Sequence, residues 1–376
     1  MSEKIKVLIV DDSSVVRKMI SDALANDPAI QVVGTAPDPY VARDKIKELN
    51  PDVITLDIEM PRMDGLTFLK ILQQHRPIPV IIISSISQAG SAAALTALQN
   101  GAVEVLAKPT SAFSIGHLAE QLPRHIKAAA AARLRRRPAP AAAPTTVASA
   151  SSPAKLGCAS LIQRSATSNF HPRQLIAIGS STGGVEALTE VLTALPAGLP
   201  GIAITQHIPP YFSKVFAERI NSQSAIEVRE AAEGDLLVPG MALVAPGDYH
   251  MTLTFVGNGF KVSLNQKPPV HHCRPAVDVM FRSISEITGA RVVAAILTGM
   301  GSDGALGMKA LKAAGARTFA QDEESCVVYG MPRAAVELGV VDKILPLSKI
   351  PTALIEAAQA MATATTPERH LSPLHV

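Results

Sequence analysis

The first third of the chain alternates between two apolar rhythms. Ile5–Val10, Ile30–Ala36, Val53–Leu56, Val80–Ser84 and residues 103–106 are nearly unbroken apolar runs of strand length. Between and after them, residues 15–25, Pro39–Leu49, 66–74, 92–100 and 113–127 space their apolar positions for one face of a helix. Ser13 or Ser14 is placed to cap the first of these helices. Strand alternating with helix predicts a parallel sheet covered on both faces, a (βα)5 unit over residues 1–127.

Both rhythms stop at residues 128–171. Ala128 to Ala132 lead into Arg133, Leu134, Arg135, Arg136 and Arg137, and a Pro-, Ala-, Ser- and Thr-rich stretch follows. This composition buries no core and predicts a flexible tether. An arginine run of this kind is usually a solvated face, with an acidic partner or an anionic lipid surface as the other readings, and the sequence does not decide between them.

The rhythm resumes over 172–363, with a short tail at 364–376. Leu175, Ile176, Ala177 and Ile178 form an apolar run that turns through Gly179-Ser180-Ser181-Thr182-Gly183-Gly184. Val185, Leu188, Val191 and Leu192 then recur at helical spacing. Further strands are expected at 201–205, 227–229, 241–245, 250–255, 260–264, 292–298 and 318–321, and helices at 212–220, 277–288, Ala305–Ala313 and 332–338. Turns at Pro246-Gly247-Asp248 and Gly257-Asn258-Gly259 predict that three of these strands are joined as hairpins. The expected fold class is α/β. A parallel (βα)5 domain is linked to a doubly wound α/β domain with a mainly parallel sheet and a hairpin excursion.

Composition narrows the setting. The chain has 376 residues and a formal net charge of +3, too small to imply nucleic-acid binding over the whole surface. No helix-turn-helix or basic recognition helix is legible, which disfavours a DNA-binding output. Cys158, Cys273 and Cys326 lie far apart, with neither a zinc spacing nor a disulfide framework. The N-terminus has no secretory h-region, and no apolar run approaches the roughly 20 residues that span a bilayer. The expectation is a soluble cytoplasmic protein with no transmembrane segment and no nucleic-acid partner.

In a parallel sheet, ligands gather at the carboxyl ends of the strands. In the first domain those ends carry Asp11, Asp12, Asp57, Ser84 and Lys108. Three carboxylates brought together repel unless a cation joins them, and an all-oxygen set suits Mg²⁺. A carboxylate beside that ion can attack a phosphoryl group, with Lys108 and the Ser84 hydroxyl holding the transferred oxygens. The stretches VLIVDDSSVVR, DVITLDIEMPRMDGL and VEVLAKP resemble the receiver domain of two-component response regulators. The resemblance implies Asp57 as phospho-acceptor, Asp11 and Asp12 as organisers of Mg²⁺, and the backbone carbonyl of Glu59 as a further ligand. It also implies a histidine kinase as phosphodonor. Many receivers carry a switch aromatic three residues before the lysine; here that position is Val105.

In the second domain, Gly179-x-Ser181-x-Gly183 fits a nucleophile elbow, where flanking glycines allow a sharp turn from strand to helix. A glycine-rich anion-binding turn has the same look. Chemistry requires a base and an orienting acid. His207 and Asp303 each follow a predicted parallel strand, so Ser181, His207 and Asp303 converge on one sheet edge as nucleophile, base and acid. His250, His271 and His272 are competing bases, the last two read as loop residues, and Asp248 is a competing acid. The amides of Thr182 and Met300 are the candidate oxyanion donors.

AIGSSTGGVEAL, ITQHIPPYFSKVFAERI, APGDYHM, CRPAVDVMFRS and LTGMGSDGALGMKALKAAG resemble the catalytic domain of the chemotaxis protein-glutamate methylesterases. That resemblance implies Ser181, rather than Ser180, as nucleophile, His207 as base and Asp303 as third member, without a cofactor for catalysis. It implies demethylation of glutamate γ-methyl esters and deamidation of glutamines on chemoreceptors, under control of Asp57 phosphorylation. The alternative is a non-catalytic response regulator whose second domain only binds a partner.

Overall fold

The computed structural model describes residues 3–85, 87–108, 112–132 and 170–363. The linker and tail expected at 128–171 and 364–376 fall largely outside the described residues.

In the first domain, strands β1 (Ile5–Val10), β2 (Ile30–Ala36), β3 (Val53–Leu56), β4 (Val80–Ser84) and β5 (Glu104–Ala107) alternate with five helices. These are α1 (Ser14–Ala25), α2 (Pro39–Leu49), α3 (Gly65–His75), α4 (Gln88–Gln99) and α5 (Ala112–Ala130). The sheet is parallel, in the order β2-β1-β3-β4-β5. Val53–Leu56 and Val80–Ser84 are buried throughout, as strands covered on both faces must be. The Ser13 side chain caps α1 by accepting from the Val16 amide. Helix α4 begins earlier than its apolar pattern predicts, because Ser87 caps it by accepting from the Gly90 amide.

The second domain runs β6 (Gln174–Ser180), α6 (Gly184–Thr193), β7 (Gly201–Gln206), α7 (Phe212–Asn221), β8 (Glu227–Glu230), β9 (Leu236–Leu237), β10 (Met241–Val244), β11 (His250–Val256) and β12 (Gly259–Asn265). It continues through α8 (Val277–Ser285), β13 (Arg291–Ile296), α9 (Ala305–Ala313), β14 (Arg317–Gln321), α10 (Met331–Glu337), β15 (Lys343–Leu345) and α11 (Ile350–Thr363). Seven strands form one parallel sheet in the order β15-β14-β13-β6-β7-β10-β8. β6, β7 and β13 are its central strands, and β6 is the point from which the chain winds both ways.

One expectation is corrected. β10 does not enter a hairpin through the Pro246-Gly247-Asp248 turn; it pairs in parallel with β7 and β8 inside the main sheet. Its run Met-Ala-Leu-Val is apolar on both faces, whereas β11 alternates and suits a one-sided sheet. Only β11 and β12 form the hairpin, extended by the two residues of β9.

The two domains touch. Helix α4 packs on α7, and their apolar cores are continuous. Glu104 of β5 bonds the Thr182 hydroxyl, and Arg219 of α7 bonds Gln99. On the far edge, His272 Nδ1 lies 3.0 Å from Glu120 Oε1, and Gln121 donates to the His272 carbonyl at 3.1 Å.

Candidate active site

The turn after β6 is shaped by close approaches. Gly183 sits at φ 76°, a region that side chains with a Cβ resist. Gly299 opposes the turn so tightly that a Cβ there would stand 2.8 Å from the Cβ of Ser181. The Ser181 amide donates to the Thr298 carbonyl at 3.0 Å, tying the β6 turn to the one after β13.

Ser181 Oγ lies 3.1 Å from His207 Nδ1, and His207 Nε2 lies 2.7 Å from Asp303 Oδ2. An ionised carboxylate only accepts, so Nε2 carries the proton and the Nδ1 lone pair of the neutral ring faces the serine hydroxyl. The imidazole is therefore turned the opposite way from the commonest serine triad. Asp303 also accepts from the amides of Val277 at 2.7 Å and Asp278 at 2.9 Å. The N-terminus of α8 thus grips the acid with two backbone donors and a favourable dipole.

Electrostatics follow the geometry. Burial pushes the Asp303 carboxyl up, but His207 and the α8 amides outweigh it and hold the pKa below the usual range. Burial opposes the charged His207 ring, yet Cys273 and Asp303 together raise its pKa well above the ordinary value.

The competing residues have other partners. Asp248 pairs with Arg274 at 2.5 Å, His250 Nε2 meets the Pro268 carbonyl, and His271 Nε2 meets Asp278 at 3.0 Å. Ser180 is fully buried and donates to Gln206 Oε1 at 2.7 Å. No acceptor among the described residues takes the amides of Thr182 or Met300, whereas Ser181's own amide is committed.

Three further residues escaped the reading of motifs. Gln206 Nε2 donates to the carbonyls of Ser181 and His207, tying nucleophile to base. Thr298 Oγ1 donates to the Thr182 carbonyl. Cys273 Sγ lies 3.4 Å from His207 Nδ1. Gln206 adjoins His207 in sequence and was within reach; the others act across the fold and leave no local signal. A cavity of about 570 Å³ opens onto Ser181, His207 and Cys273, and Glu104, Lys108 and His125 of the first domain form its other wall.

In the first domain, Lys108 Nζ stands 3.0 Å from Asp11 Oδ2 and 2.7 Å from Asp57 Oδ2. Burial works against the ammonium, but the two carboxylates raise its pKa. Burial also raises Asp57, beyond the opposing pull of Lys108. Gly65 lets the chain cross here, since a Cβ would collide with the Asp57 carbonyl. The carboxylates of Asp11, Asp12 and Asp57 converge within 4.8 Å. The buried Oδ2 atoms of Asp11 and Asp57 meet no donor among the described residues other than the shared Lys108 ammonium. Crowded, under-satisfied oxygens are what a small hard cation requires, so the residues fit Mg²⁺. The Glu59 amide donates to Asp57 Oδ1 at 3.2 Å, and Ser84 Oγ lies at the same strand-end edge, donating to the Gly90 carbonyl. Val105 is buried in the sheet core.

Fold and site together define a two-domain hydrolase of the α/β class: a receiver-type domain set against a parallel sheet whose three central strands carry a serine, a histidine and an aspartate at their ends. Residues 7–119 match the response regulator receiver domain and residues 176–354 match the CheB methylesterase. A protein-glutamate methylesterase/protein-glutamine glutaminase of Syntrophus aciditrophicus is 51% identical over 92% of this chain and 97% of its own. One from Pseudomonas aeruginosa is 49% identical over 94% and 97%. The solved catalytic domain of Thermotoga maritima CheB methylesterase is 40% identical, with a TM-score of 0.47, covering 48% of this chain and 97% of that one. The chain belongs to the protein-glutamate methylesterase/protein-glutamine glutaminase family.

No helix among the described residues is long and apolar enough to cross a membrane.

Proposed function

We propose that this protein is a phosphorylation-activated esterase of chemotaxis adaptation. It hydrolyses glutamate γ-methyl esters on chemoreceptors and deamidates receptor glutamines in the cytoplasm, with the chemotaxis histidine kinase as phosphodonor. The observation that carries this reading is the continuous Ser181–His207–Asp303 hydrogen-bond chain at the ends of three adjacent strands.

His207 takes the Ser181 proton at Nδ1 as Oγ attacks the side-chain carbonyl, and Asp303 stabilises the imidazolium so formed. The Thr182 and Met300 amides hold the developing oxyanion. His207 returns the proton to the departing methanol or ammonia, and water cleaves the acyl-enzyme by the same relay. Gln206 keeps the two turns in register throughout.

Asp57 is the proposed phosphorylation site. Asp11, Asp12, Asp57 and the Glu59 carbonyl would hold Mg²⁺, which supplies neutralisation of phosphoryl charge when bound. Lys108 contacts Asp57 and also lines the cavity over Ser181, so a phosphoryl group at Asp57 acts on a residue shared by both sites. Contacts at Thr182 and His272 support a reading in which the unphosphorylated receiver obstructs a protein substrate.

The test is methanol release from methylated receptor membranes by the purified protein, with and without Mg²⁺ and a small phosphodonor. Stimulated release supports the reading. Binding to receptors without release, in every condition, would favour a non-catalytic regulator.

A further inference from the structure

The residue beside the base completes a second constellation. Residues 270–273 close a tight turn: the Val270 amide donates to the Cys273 carbonyl at 3.1 Å, and the Cys273 amide to the Val270 carbonyl at 2.9 Å. Its central residues, His271 and His272, have φ of 52° and 63°. Non-glycine residues resist that region, and two in succession mark the primed turns. Side chains hold the turn in place, His271 on Asp278 and His272 on Glu120. The result is that Cys273 Sγ is aimed at the nitrogen of His207 that faces Ser181, at 3.4 Å. Cys273 is half-buried and lines the same cavity, while Cys326 is buried elsewhere.

Cys273, His207 and Asp303 thus form a nucleophile, base and acid in series, sharing two members with the serine constellation. A thiol paired with a histidine is the arrangement that makes cysteines nucleophilic. We propose that Cys273 is a reactive thiol and a modification site, at which hydroperoxides and soft electrophiles act and shut the esterase off.

The chemistry balances without further groups. His207 takes the thiol proton, and the sulfur attacks the distal oxygen of a hydroperoxide. An S–O bond forms as the O–O bond breaks, and His207 delivers the proton to the leaving oxygen. The sulfur is oxidised by two electrons to a sulfenic acid, and the peroxide is reduced to water or an alcohol. A dithiol reverses the change through a mixed disulfide. The added atoms lie against His207 Nδ1, so the base no longer serves Ser181.

The proposal rests on His207 acting as a base, and its first readout needs no ester turnover. Full-length protein is treated with iodoacetamide at neutral pH, and alkylation of each cysteine is followed by peptide mass mapping. Cys273 should react about tenfold faster in wild type and Ser181→Ala than in His207→Gln or Asp303→Asn. Equal rates in all four would overturn the proposal. In the second readout, hydrogen peroxide should abolish methanol release by wild type at least tenfold, with recovery in dithiothreitol. Cys273→Ala, measured against its own untreated rate, should be unaffected. Equal peroxide loss in Cys273→Ala would also overturn the proposal. Base-dependent alkylation without methanol release in any variant would support the thiol while rejecting the esterase reading.

Discussion

Replacing Asp303 by asparagine separates charge from shape at the centre of the site. Oδ2 accepts from both His207 and Val277, and Oδ1 from Asp278 alone. An asparagine oxygen at the Oδ2 position keeps two of these bonds and sets its NH₂ against one amide. The flipped amide keeps one bond and opposes two donors. A buried donor left unpaired costs about 1–3 kcal/mol, so the first orientation wins and the imidazole keeps its tautomer. What is lost is the charge. A unit charge about 4 Å from the imidazolium, at an effective dielectric near 20, contributes about 4 kcal/mol. That is roughly 10³-fold in rate, approaching roughly 10⁴-fold if the tautomer also changes. The assay is methanol release by the variant across a pH series, with circular dichroism confirming the fold. The acid limb should also move to lower pH, because Cys273 and Asp303 together raise His207 and the charge of one of them is gone. Turnover within tenfold of wild type would refute the assignment of Asp303.

Other consequences are independent of that one. Ser181→Ala should lose several orders of magnitude in kcat, whereas Ser180→Ala, whose hydroxyl only satisfies Gln206, should cost about 1–3 kcal/mol of stability and little activity; paired kinetics and thermal melts separate them. Because the His207 pKa is raised and the neutral ring is the base, kcat/KM should climb with pH through an inflection above the ordinary histidine value near 6.5. A flat profile from pH 6 to 9 would contradict that. Glu104→Ala, which removes the receiver's hold on Thr182, should raise unphosphorylated methanol release about tenfold if the contact contributes about 1.4 kcal/mol to closure. Asp57→Asn should stay at the low basal rate with phosphodonor present, and a fragment beginning near Arg173 should exceed the unphosphorylated full chain.

Much of this was legible from local patterns. Apolar runs of strand length ending in polar residues placed Asp11, Asp57, Ser181, His207 and Asp303 at strand ends, because a parallel strand buried on both faces has nowhere else to show a polar side chain. The mistake at β10 came from reading a Pro-Gly-Asp turn as a hairpin signal, when the strand before it was apolar on both faces. The tail helix α11 was not foreseen, although it buries Ile350, Leu354 and Ala358 against the sheet. Its alanine-rich pattern continues into a polar tail without a marked stop. The orientation of the His207 ring and the approach of Cys273 were illegible for a different reason. The first depends on Asp303 and the second on a turn with two positive φ angles, each brought in from a distant part of the chain, and no spacing within one segment encodes that.

The most direct measurement is covalent labelling by a serine-directed phosphonate, with the labelled residue mapped and its rate followed with and without Mg²⁺ and phosphodonor. The account predicts a single adduct on Ser181, formed slowly on the unphosphorylated full chain and many-fold faster after phosphorylation. An adduct on another serine, or none under either condition, would contradict it.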